Sequence, residues 1–194
     1  MFKKYWKFFV IFWSVVLVGI IGVFVFFWLI SAGKLGFMPT FEELENPNNR
    51  FASEVYFADG PIMNRYFEKE NRKYIEYREI PQSVIDALIA TEDVRFYDHS
   101  GVDVRGLFRV AKGLLTANTS AGGGSTISQQ LAKMLFPRES DLNVFELAIR
   151  KFREWVIAVR LEKSYTKEEI LTMYLNKYDF LNLAVGISSA ADIY

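Results

Sequence analysis

The sequence predicts a mainly α-helical domain preceded by a β-hairpin and one transmembrane helix. Three features carry that prediction: a charge-free apolar run from Phe8 to Ile30, alternation on both sides of Asp59-Gly60, and apolar residues at steps of three and four from Pro81 onward. The chain has 194 residues, 51% apolar and 16% aromatic, with 23 basic against 23 acidic side chains, one histidine and no cysteine. That composition excludes a disulfide scaffold, a thiol nucleophile, a Cys-ligated metal and a disordered chain. One histidine leaves no site that needs two imidazoles. Zero net charge provides no overall basic field, so no nucleic-acid partner is expected.

The first element is the apolar run, residues 8–30. As a helix it reaches about 34 Å, enough to cross a hydrocarbon core of about 30 Å. Trp6, Trp13 and Trp28 lie at or towards its ends, where aromatic rings favour the lipid interface. A cleaved signal peptide has a shorter apolar core and a small-x-small exit, which Ile30-Ser31-Ala32 does not supply. Lys3, Lys4 and Lys7 in the tail, residues 1–7, keep that end cytoplasmic and place everything from residue 31 outside the cytoplasmic (inner) membrane. Setting those lysines aside leaves 20 of the 23 basic residues against 23 acidic ones, so the outer part holds to the surface through its tether and not through charge.

Residues 31–50, with Gly33, Gly36, Pro39, Pro47 and Asn48-Asn49, read as a stalk. In the region 51–80, Ser53–Ala58 and Ile62–Phe67 flank the Asp59-Gly60 turn pair as a hairpin. No run after Pro81 reads as a strand. Pro81 suits a first helical turn, and Ile85, Leu88, Ile89 and Glu92 follow on one stripe, which predicts a buried Glu92. A second helix is expected over Val104–Leu115, with Phe108 and Leu115 among its apolar positions. A third opens after the glycines at Thr126, whose spacing to Gln129 fits a capping box. Asp141 caps a long helix carrying Phe145, Ile149, Phe152 and Val156, and Thr166 with Glu169 forms another capping box.

Several residues on this frame suit chemistry. A carboxyl on an apolar stripe, as Glu92 is read, is shifted toward working as a base or acid near neutrality; the plainer reading pairs it with Arg95 or Arg105. Gly122-Gly123-Gly124-Ser125-Thr126 ahead of a helix lets backbone N–H groups approach an anion such as a diphosphate, or is simply a turn. It lacks the nucleotide-loop spacing. Arg150 and Glu154 lie one helical turn apart with Lys151 beside them: either an exposed ion pair, or cations and a carboxylate suited to phosphate or metal. His99 is assigned no chemistry, and Tyr174 and Leu175 read as core.

Four ordered motifs resemble one family. Glu92-Asp93 with Phe96, His99 and Gly101 is similar to ED-x-x-F-x-x-H-x-G. Residues 123–130 are similar to GGST-I-x-QQ, with Lys133 following. Arg150-Lys151 and Glu154 match RK-x-x-E, and Lys167, Ile170-Leu171 and Tyr174-Leu175-Asn176 match K-x-x-IL-x-x-YLN. The family is that of the peptidoglycan glycosyltransferases, family 51, found in class A penicillin-binding proteins and in monofunctional transglycosylases. The sequence departs from its pattern at Met134, Ser188, Leu181 and Leu183, the last two standing where glycines are usual.

The resemblance implies a lysozyme-like helical glycosyltransferase domain over residues 81–194, incomplete at its C-terminus, with a small lobe that dips into the membrane. It implies polymerisation of lipid II into glycan strands, with inversion and release of undecaprenyl diphosphate. Glu92 is then the base on the acceptor 4-hydroxyl and Glu154 the second acidic residue. Ser125, Thr126, Gln129, Gln130, Lys133, Arg138, Arg150 and Lys151 line the donor site. A divalent cation, Mg or Mn, is compatible with the pattern but not required, and no metal ligand set is assigned. Cell-wall elongation or division proteins are partners in keeping with this role. Two other functions stay open: a glycan-cleaving muramidase, which also needs one critical Glu, and an inactive truncated module that binds lipid II or a partner.

Overall fold

The computed structural model describes residues 2–40, 43–44, 53–56, 62–66, 71–116, 123–136, 143–182 and 184–194. The chain divides into two compact units, one formed by Met1–Met38 with Leu142–Val156 and the other by Pro39–Asp141 with Ile157–Tyr194.

In the first unit, α1 (Phe2–Ser31) is a continuous helix. It is long and apolar enough to cross a membrane, and its most apolar stretch is not buried in the protein. Trp6, Trp13 and Trp28 are all more than half exposed. Its C-terminal end packs on the first part of α5 (Val144–Ser164) through edge-on contacts of Phe26 and Phe27 with Phe152. Near it, Gly36 adopts φ +112°, a backbone conformation that favours glycine, with the guanidinium of Arg153 lying against it.

The second unit holds the remaining elements. Strands β1 (Ser53–Tyr56) and β2 (Ile62–Tyr66) form the predicted antiparallel hairpin, with a register shift between Val55 and Tyr56. The Asp59-Gly60 turn lies outside the described residues. Helix α2 (Gln82–Glu92) follows Pro81, then α3 (Val104–Leu115), α4 (Ile127–Leu135), the C-terminal part of α5, α6 (Lys167–Lys177) and α7 (Ile187–Ile193). Two strands escape the sequence pattern: β3 (Asn71–Arg72) pairs in parallel with β4 (Ala184–Val185). The expectation of no strand beyond Pro81 is therefore corrected. Two residues are too few to show a period.

The core is built around α4 and α6, with Ile127, Leu131, Ile170, Leu171 and Tyr174 buried together with Ile85, Phe96 and Leu161. Thr166 and Glu169 make the full predicted capping box at the start of α6. Thr126 caps α4 by accepting the Gln129 N–H at 3.2 Å, but the Gln129 side chain turns elsewhere, so only half of that box forms. Asp141 lies outside the described residues. Lys167 reaches from α6 to Glu162 and to the His99 carbonyl and lies 4.2 Å over the Phe96 ring, fastening the segment that follows α2.

Leu181, where the family pattern usually has glycine, adopts φ +71° and is 71% exposed. A left-handed backbone costs a leucine about 1 kcal/mol, with little packing here to offset it. Leu181→Gly is expected to raise the thermal midpoint by about 2–4 °C in a scanning unfolding assay; an unchanged or lower midpoint contradicts the strain.

Candidate active site

Glu92 is the last residue of α2, and the chain turns sharply after it. The prediction that Glu92 is buried is corrected: it is exposed on the wall of a cavity. Of the stripe that leads to it, Ile85 is buried while Leu88 and Ile89 are half-buried, so the helix rises out of the core as it ends. Neither Arg95 nor Arg105 pairs with Glu92. Its Oε2 accepts instead from Gln130 Nε2 at 2.7 Å, and Gln130 Oε1 accepts from the Tyr174 hydroxyl at 3.1 Å.

The residues after Glu92 are tied to the start of α4. Asp93 is buried, and its Oδ2 accepts the Ile127 N–H at 3.1 Å and His99 Nε2 at 3.0 Å. Since His99 Nδ1 accepts the Gly101 N–H, the neutral ring carries its proton on Nε2 and donates it to Asp93. The Gly101 carbonyl in turn accepts from Thr126 Oγ1 at 2.7 Å and Gln129 Nε2 at 3.2 Å. Thr126 and Gln129, both placed in the donor site by resemblance, are thus almost fully buried and spend these groups on the loop. They set the position of the helix whose next residue is Gln130.

The cavity has a volume of about 250 Å³ and is walled by Thr91–Arg95, Asp103, Gly106, Arg109 and Gly123–Thr126. Ser125 is half-buried in its wall, and Lys133 is exposed one turn beyond Gln129 and Gln130. Arg95 binds Asp103 through Nε and Nη2, and this hydrogen bond, with the Gly106 N–H, holds the Asp103 carboxyl below the usual carboxylate range. The Arg95 charge is thereby balanced by Asp103. Arg109 has no carboxylate partner among the described residues, and its one hydrogen bond, to the Gly123 carbonyl, is long at 3.4 Å. It is the cation this cavity offers an anion. Its sequence signal was slight: one of three cations at helical spacing on α3, with Arg105 and Lys112.

Arg150, Lys151 and Glu154 belong to the first unit. Of these, Lys151 pairs with Glu154: Lys151 Nζ lies 3.0 Å from Glu154 Oε2, on a carboxylate that is largely buried. Among the described residues no three Asp, Glu or His side chains gather as metal ligands, and Glu154 is already engaged by a cation. Arg138 lies outside the described residues.

Comparison with known proteins agrees with these elements. Residues 59–194 match the family model described as Transglycosylase. The chain is 38% identical over 157 residues to penicillin-binding protein 1A of Escherichia coli and, over the same length, 38% to that of Pseudomonas aeruginosa and 35% to that of Neisseria gonorrhoeae. Each alignment covers 81% of this chain but only 18–19% of the relative, so the chain spans about a fifth of their length. A family match that takes in α2 to α7, and with them the whole Glu92 cavity, establishes that this chain belongs to the transglycosylase family, the family-51 peptidoglycan glycosyltransferases.

Proposed function

We propose that the protein polymerises lipid II, with Glu92 as the base. Glu92 takes the proton from the 4-hydroxyl of the acceptor sugar as that oxygen bonds to the anomeric carbon of the donor chain. The bond from that carbon to the diphosphate breaks, and undecaprenyl diphosphate leaves with the electron pair. Attack opposite the leaving group inverts the carbon and needs no nucleophile on the enzyme. Cations that meet the growing negative charge lower the barrier. Lys133, Arg150, Lys151 and Arg138, with Ser125, are assigned to the diphosphate side, Gln130 to the base, Thr126 and Gln129 to support, and Glu154 to the placement of Lys151. The observation that carries this reading is Glu92 on an open cavity with its carboxylate fixed by Gln130. Labelled lipid II supplied to the protein in detergent is expected to give glycan polymer. Soluble fragments released from finished sacculi, with no polymer, would instead identify a muramidase.

On this reading α1 spans the inner membrane with its N-terminus inside, and the second unit works on the outer face. Helix α3 supports contact with lipid. Val104, Phe108 and Leu115 are exposed on one stripe, and Arg105, Arg109 and Lys112 run alongside it. Because the chain has no cysteine, a spin label on Phe108→Cys reports this face alone. In vesicles it is expected to be accessible to oxygen and protected from a water-soluble relaxant, while a label on Lys163→Cys is not. Equal exposure of both labels to water contradicts a lipid-facing α3.

A further inference from the structure

We infer that Tyr174 is a positioning residue which, by holding the amide of Gln130, keeps the Glu92 carboxylate set for proton abstraction; the inference rests on the glycosyltransferase reading above. A glutamine amide has one end that only accepts and one that only donates, whereas a carboxylate only accepts. Its last torsion is soft, so an unrestrained Gln130 would also turn its carbonyl toward Glu92, where two acceptors repel. Here both ends are held. The Tyr174 hydroxyl donates to Oε1 at 3.1 Å, and Nε2 donates to Glu92 at 2.7 Å.

Tyr174 is suited to this role. It is 2% exposed on α6, in the core against α4, and its ring stacks on Tyr178 with centroids 5.5 Å apart. A hydroxyl so deep must find a partner, and Gln130 supplies it. Burial, and after it the charge of Glu92, push the Tyr174 phenol above its ordinary value, so the group stays protonated and able to donate at neutral pH. The connection joins three motifs far apart in sequence: α2 presents the base, α4 the amide and α6 the hydroxyl.

The chain contains three glutamines, Gln82, Gln129 and Gln130, so labelling glutamine side chains with ¹⁵N gives three NH₂ pairs. The Gln130 pair is the one lost in Gln130→Met. Tyr174→Phe is expected to shift that pair and speed its exchange with water while the Gln82 pair stays in place, and Glu92→Gln is expected to shift it as well. With lipid II, Tyr174→Phe is expected to lower kcat about five- to tenfold with KM within about twofold. In a Gln130→Met background the same change should cost less than about twofold, because the residue it acts through is gone. An unmoved Gln130 pair in Tyr174→Phe, or an equal loss of kcat in both backgrounds, overturns the inference. If the wild-type protein makes no polymer, the glycosyltransferase reading fails, and the NMR result alone decides whether Tyr174 positions Gln130.

Discussion

Glu92→Gln is expected to lower kcat for lipid II polymerisation by roughly 10²- to 10⁴-fold, the range for loss of a general base. The change is nearly isosteric and falls on an exposed helix end, so the fold should be untouched. The new amide oxygen can still accept from Gln130 Nε2, which keeps the cavity wall in place. What disappears is the capacity to take a proton. A lowered kcat with KM within a few-fold is the mark of an interaction made only in the transition state. Retention of activity within about fivefold would mean that the acceptor loses its proton elsewhere.

Gly101→Ala is expected to be the most damaging change outside the reacting groups. Gly101 has φ +97°, where a Cβ is disfavoured, and the added carbon would lie 2.8 Å from the carbonyl carbon and oxygen of Ala158 and from the nitrogen of Val159. These are backbone atoms of α5, with no flexible side chain to give way. The residue also carries the carbonyl that receives Thr126 and Gln129. Strain and overpacking together cost about 2–5 kcal/mol, a large part of a stability of about 5–15 kcal/mol. Denaturant unfolding checks this against Gly123→Ala, where a Cβ meets nothing within 4 Å and the expected change is within about 0.5 kcal/mol. Equal stability of the two variants would contradict the packing described.

The helices and the hairpin were legible because each has a period, a cap or a turn pair of its own. Val104–Leu115 was read with the bounds that α3 has, and Thr166 with Glu169 marked α6. The errors arose where a local pattern meets a distant partner. Periodicity put Glu92 inward but could not show that the stripe leaves the core at the end of α2. Spacing put Arg150 and Lys151 beside Glu154 without deciding between them; three residues serve as well as four on a helix, and it is Lys151 that pairs. Phe108 and Leu115 have the residue types of a core and the exposure of a surface. Asp93, bonded to Ile127, and Tyr174, bonded to Gln130, work across 34 and 44 residues of sequence, which no window reveals.

The most direct measurement is a structure of the protein, in a membrane mimetic, bound to a lipid diphosphate sugar donor that cannot react, together with an acceptor. The account predicts the acceptor 4-hydroxyl within about 2.6–3.2 Å of the Glu92 carboxylate, the donor's anomeric carbon next to that oxygen, and the diphosphate on Lys133. Sugars seated away from the Glu92 cavity, or another carboxylate at the acceptor hydroxyl, would contradict it.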